Sequence, residues 1–124
     1  MLVLTDANAY FGTVVETARL LSFSKQIPDL IVVGIGYSNP GQAFRAINGP
    51  RTYDLTPSAD PATVKSLNTD SAKLGFPDAT GSGGAPEFLS WIRSELLPVI
   101  VKKYHASSED RAYLGHSFGG LFGV

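Results

Sequence analysis

The sequence predicts an α/β fold, a parallel sheet at the core with helices packed on its faces. Three features point there. Short apolar runs alternate with stretches of helical periodicity in the order strand, helix, strand, long connection, helix, strand, start of a helix. The second run, "LIVVGIGY", is continuously apolar rather than alternating, which implies cover on both faces of the sheet. The third run passes straight into "GHSFGG", a serine turn between a strand and a helix.

Taken in order, Leu2, Val3 and Leu4 read as a buried strand that ends in "TDANA". Over residues 10–23 the apolar residues Phe11, Val14, Val15, Ala18 and Leu21 recur at helical spacing and predict an amphipathic helix. Residues 30–37 form the second strand. The stretch 38–86 holds six of the eight prolines and predicts a long, mostly irregular connection of functional character. Within it a short helix is expected over 62–67, with Asp60 as N-cap and Pro61 at its first position. A long helix follows, with Phe88, Leu89, Ile92, Leu96, Val99 and Ile100 on one face, Pro98 as the source of a kink, and Lys102 and Lys103 at its negative end. "DRAYLG" is the third strand, and "FGGLFGV" starts another helix. If the third strand pairs with the first on the side away from the second, the strand order reverses between the loop Asp6-Ala7-Asn8 and Ser117. Both would then border one crevice.

Composition narrows the function. The 124 residues carry ten basic and eleven acidic side chains, a formal net charge of −1, and no basic cluster suited to nucleic acid or an anionic membrane. The absence of cysteine excludes disulfides and thiolate metal sites, and two histidines argue against a zinc centre. The longest apolar run, residues 30–35, is far below the roughly 18 residues of a membrane-spanning helix. The N-terminus has no signal-peptide pattern. Both ends are apolar, so the chain is expected to be a piece of a longer one.

Gly115, Ser117 and Gly119 fill the pattern G-x-S-x-G between a strand and a helix. A serine on so sharp a turn has strained backbone angles, and its neighbours two residues away must be tiny. Its Oγ then stands clear of the sheet, where a base can reach it, and the next backbone N–H groups face developing negative charge. The plainer alternative is a glycine-rich turn that packs a helix close to a strand.

The segments "VLTDANAYF", "IVVGIGY", "RTYDLTP", "GGAPEFLSWIRSELLPVI" and "RAYLGHSFGGLFGV" resemble, in that order, the putative esterase (esterase D-like) branch of the α/β-hydrolases, nearest to its siderophore-ester hydrolases. The resemblance spans almost the whole chain. It implies part of an α/β-hydrolase fold, with a long active-site loop over about 38–86 and a nucleophile elbow at 115–120. It also implies a serine hydrolase acting on small carboxylic esters, with no metal or organic cofactor. Ser117 would be the nucleophile, and the N–H groups of Phe118 and Asn8 the oxyanion donors. Ala7 stands where that family usually has glycine. The fold orders its triad as serine, acid, histidine, and no acidic residue or histidine follows Ser117, so the 124 residues alone are expected to be inactive. His116 is expected to support the loop, and His105 to sit at a helix end. A non-catalytic binding domain that keeps the hydrolase shell, or an acyltransferase, is the alternative.

Weaker signals complete the reading. "GIGYSN" departs from a dinucleotide fingerprint at Asn39, and Asn39-Pro40-Gly41 blocks a helix there. "GSGG" lacks the lysine of a phosphate loop and reads as a hinge. Arg51 would either hold a substrate oxygen or pair with Asp54 to pin the loop. Tyr37 is a candidate pocket residue, and Trp91 a candidate core residue.

Overall fold

A computed structural model describes residues 1–38 and 48–124. Three short parallel strands, β1 (Leu2–Leu4), β2 (Val32–Gly34) and β3 (Ala112–Leu114), stand in the order β2-β1-β3. Leu2, Val3 and Leu4 face Val32, Val33 and Gly34 on one side and Ala112, Tyr113 and Leu114 on the other. The reversal of strand order at β1 is therefore present. β2 covers less than residues 30–37, because its partner β1 is only three residues long. Single hydrogen bonds extend the pairing, Leu2 N–H to the Ile31 carbonyl and Ile35 N–H to the Leu4 carbonyl, both 2.8 Å.

Alternation along the strands sorts the two faces. Val3 and Val33 form one apolar cluster with Ile92 and Leu97. Gly34 faces the opposite way, and a Cβ there would stand 2.5 Å from the Phe11 ring of α1 (Ala7–Phe23). That helix begins three residues before the expected start at residue 10. Asp6, in the left-handed region at φ 54°, turns its carbonyl to accept from Ala9 and Tyr10 at 2.9 and 3.3 Å. Of the expected apolar face, Val14, Ala18 and Leu21 are half-buried, whereas Phe11 and Val15 stay exposed.

The connection after β2 is more regular than expected. It carries α2 (Asn48–Asp54) and α3 (Pro61–Leu74); residues 39–47 of it, with the Asn39-Pro40-Gly41 turn, lie outside the described residues. Asp60 caps α3, accepting from Thr63 N–H at 3.0 Å and from the Thr63 hydroxyl at 2.7 Å, and Gly75 closes the helix at φ 69°. The helix runs past residue 67 because Val64, Leu67, Asn68 and Ser71 turn one partly covered stripe inward. The "GSGG" stretch is packed rather than loose. A Cβ on Gly83 would stand 2.6 Å from the Ala59 backbone nitrogen, and one on Gly84 would enter the Tyr53 ring.

The long helix is three pieces, α4 (Ala85–Trp91), a π-helical turn (Ile92–Leu96) and α5 (Leu97–Tyr104). Pro98 has no N–H to give the preceding turn, and the chain takes up the fault as a wider turn while Ile92 and Leu97 keep right-handed helical angles. The wider turn shifts the buried face. Ile92 and Leu97, five residues apart, are both buried, and Val99, expected inside, is 56% exposed. Trp91 is also exposed and stacks on Phe88 rather than entering the core. The last helix, α6 (Phe118–Phe122), follows β3 directly.

Candidate active site

Ser117 joins β3 to α6 at φ 56° and ψ −120°, a conformation that side-chain-bearing residues avoid. Its flanking glycines are sterically required. A Cβ on Gly115 would overlap the Gly119 carbonyl, and one on Gly119 would stand 2.5 Å from the Thr5 hydroxyl. Gly119 N–H closes the turn onto the His116 carbonyl at 2.9 Å, and Leu121 N–H bonds the Ser117 carbonyl at 3.0 Å. Ser117 itself is exposed.

A partly buried hydroxyl relay braces the turn from the sheet side. The Tyr113 hydroxyl donates to the Gly119 carbonyl at 2.6 Å and lies 2.8 Å from the Thr5 hydroxyl. Burial pushes the Tyr113 phenol up, opposed by the Thr5 hydrogen bond, so it remains a donor at neutral pH.

The opening loop meets the turn here. Ala7 is helical, so the position needs no glycine; its N–H bonds the Ile35 carbonyl at 3.0 Å, and the left-handed residue is Asp6. Asn8 clasps the end of β2: its side-chain amide donates to the Tyr37 carbonyl at 2.9 Å, and its Oδ1 accepts from Tyr37 N–H at 2.7 Å. The N–H groups of Asn8 and Phe118 both lie in the first turn of a helix and have no intrahelical acceptor.

Arg51, on α2, pairs with Asp6, not with Asp54. Its Nε donates to Asp6 Oδ1 at 2.8 Å and its Nη2 to Oδ2 at 2.7 Å. Asp6 is 2% exposed, and a desolvated carboxylate demands its partner more strongly than the better solvated Asp54. Asp54 instead faces the Tyr37 hydroxyl, which is shut from solvent and closes no well-formed hydrogen bond among the described residues. Burial, then the field of Asp54, pushes the Tyr37 phenol far up. Burial likewise raises the Asp54 carboxyl.

Asp6, Tyr10, Arg51, His116 and Ser117 line a cavity of about 310 Å³ together with Leu67, Asp70, Ser71 and Leu74 of α3 and Phe76 just after it. Ser117 and Arg51 are thus brought together. Tyr37 and Asn8 are not part of this lining. Tyr10 donates to or accepts from His116 Nδ1 at 3.0 Å, so His116 supports the loop, while His105 caps α5 at φ 52°. Asp6 and Tyr10 lie in "VLTDANAYF" and Tyr113 in "RAYLGHSFGGLFGV", yet neither their spacing nor that of the α3 lining signals these roles in the sequence. Only the strand-end position of Asp6, facing a distant arginine, could have hinted at its role. Among the described residues no group of acidic and histidine side chains could hold a metal, and no helix is long and apolar enough to cross a membrane.

Comparison with known proteins agrees with this architecture. Residues 61–124, just over half of the chain, match the family described as "Putative esterase". The siderophore enterobactin esterase of Emericella nidulans is 35% identical over 98% of this chain and 38% of its own length. The ferri-bacillibactin esterase BesA of Bacillus subtilis is 29% identical over 98% of the chain and 40% of its own. The chain therefore spans about two fifths of the length of these curated relatives. Among solved structures, the BES protein from Bacillus cereus superposes with a TM-score of 0.74 at 32% identity, over 98% of this chain and 43% of that one. The siderophore hydrolase EstA from Aspergillus nidulans gives 0.69 at 34% identity, over 98% and 38%. On the family match, and with a glycine-flanked serine at the reversal of a parallel sheet, the chain belongs to the "Putative esterase" family of the α/β-hydrolase superfamily.

Proposed function

We propose that the protein is a serine-dependent hydrolase of carboxylic esters. The observation that carries this is the positive φ of Ser117 between two glycines that tolerate no side chain. In this reading Ser117 Oγ attacks the ester carbonyl and gives its proton to a histidine base. The N–H groups of Phe118 and Asn8 hold the tetrahedral oxyanion. The carbon–oxygen bond to the alcohol breaks, the alcohol leaves with that proton, and water then cleaves the acyl-serine to acid and free serine. Neither His105, at the end of α5, nor His116, whose Nδ1 is engaged by Tyr10, suits the base, and the reading draws base and orienting carboxylate from outside these 124 residues.

Support for a siderophore ester as substrate comes from the relatives, which are named for such esters. The side chains of Leu67, Leu74 and Phe76, interrupted by Asp70 and Ser71, offer some surface for a hydrophobic or aromatic portion of the substrate. The test is steady-state hydrolysis of a neutral aryl ester by the full-length native protein. Ser117→Ala is expected to lower kcat at least roughly 10⁴-fold with the fold retained. A variant that keeps its turnover would remove Ser117 from the chemistry.

A further inference from the structure

Residues 5–8 and 115–118, which carry every group of the proposed mechanism in this chain, lie at opposite ends of the sequence. From the sheet side they are held by the relay of Thr5, Tyr113 and Gly119. From the cavity side they share one side chain, Arg51. Its Nε and Nη2 take both oxygens of Asp6, the same Nη2 reaches the His116 carbonyl at 3.4 Å, and its Cζ lies 5.3 Å from the centre of the Phe118 ring.

The third of these contacts bears on the serine itself. The His116 carbonyl belongs to the peptide whose nitrogen is that of Ser117, so its direction is tied to the serine's φ. A donor on that oxygen resists rotation of this peptide out of the strained state. The Arg51 side chain is 11% exposed and that of Asp6 2%, so water competes poorly for either group. With two of its nitrogens committed to Asp6, and its charge opposed by that carboxylate, the guanidinium is poorly disposed to capture a substrate anion.

We infer that Arg51 is a positioning residue for the reaction proposed above: it fixes the loop bearing Asn8 to the turn bearing Ser117 and Phe118, so that nucleophile and oxyanion donors keep their relative places. This rests on the ester-hydrolase reading. A lysine could not replace it, because one ammonium lacks the planar fork that spans both carboxylate oxygens.

The test compares the full-length native protein with Arg51→Lys and with the paired variant Asp6→Asn/Arg51→Met, which leaves no unpaired buried charge if the lysine variant fails to fold. Each is assayed on a neutral aryl ester and on its carboxylate-bearing analogue, and for the rate at which a fluorophosphonate modifies Ser117. Displacing the reacting groups by about an ångström is expected to cost roughly 100-fold in kcat. The account expects that loss on both esters by the same factor, little change in KM, and labelling slowed in parallel. A folded variant with unchanged kcat, even one with a lower melting temperature, would overturn it. So would a rise in KM confined to the anionic ester, which is the signature of a substrate-binding arginine. An unlabelled Ser117 in the unmodified protein would instead sink the hydrolase reading, and the role inferred for Arg51 with it.

Discussion

A serine held at φ 56° and ψ −120° costs the backbone about 1–3 kcal/mol, which the surrounding contacts must offset. The glycines show how tightly those contacts close. A methyl on Gly115 would meet the backbone carbonyl of Gly119, which has no flexible end to give way. Gly115→Ala is therefore expected to destabilise the fold by about 2 kcal/mol or more, measured by urea unfolding. Gly119→Ala, which meets the buried Thr5 hydroxyl held by Tyr113, is expected to destabilise the fold as well. This turn was legible in the sequence because its requirement is local: tiny residues at fixed offsets from the serine. The partner of Arg51 was not legible. Asp54 is three residues away on the same helix, yet the desolvation of Asp6, which only the folded chain creates, decides the pairing.

At the scale of elements, the backbone punctuation carried most of the reading. Pro61 and Asp60 marked the start of α3 correctly, while its length depended on the stripe Val64, Leu67, Asn68, Ser71, whose two polar members hide the periodicity. Pro98 announced a fault in the long helix without saying that the fault would be a π turn, because a kink and a wider turn both dispense with the missing N–H. Two predictions belong here. Gly12, in the middle of α1, faces open space, and a Cβ there would meet nothing within 4 Å beyond its own helix. Gly12→Ala should therefore stabilise the protein by about 0.5–1 kcal/mol in thermal unfolding. The Asp60 carboxyl is held below its ordinary value by hydrogen bonds from the Thr63 hydroxyl and N–H. A lowered value in the fold means that the cap stabilises fully above the unfolded aspartate value of about 3.9 and is lost as pH falls through the lower, folded one. The melting-temperature gap between the native protein and Asp60→Ala should thus be open at about pH 6 and narrow below about pH 4.

For the whole molecule, strand order and crevice followed from one conditional, that β3 pairs with β1 on its free side, and the register bears this out. The reversal then sets the loop after β1 beside the turn after β3, where the cavity opens. The extent of the core was less legible, since apolar residues alone do not say which faces are covered. Leu114 on β3, and Leu121 and Val124 beside it, are exposed, and β3 has one strand neighbour among the described residues. Expressed by itself, the 124-residue chain is expected to bind a hydrophobic dye, to associate through the β3 edge in sedimentation, and to show no ester turnover above background. A dye-silent, monomeric and active chain would contradict all three expectations.

The most direct test of the central claim is covalent. The full-length native protein is treated with a fluorophosphonate, digested, and its modified peptide sequenced by mass spectrometry. One stoichiometric adduct is expected, on Ser117, formed in step with loss of ester turnover. An adduct on another serine, or a folded, active protein with no adduct at all, would contradict it.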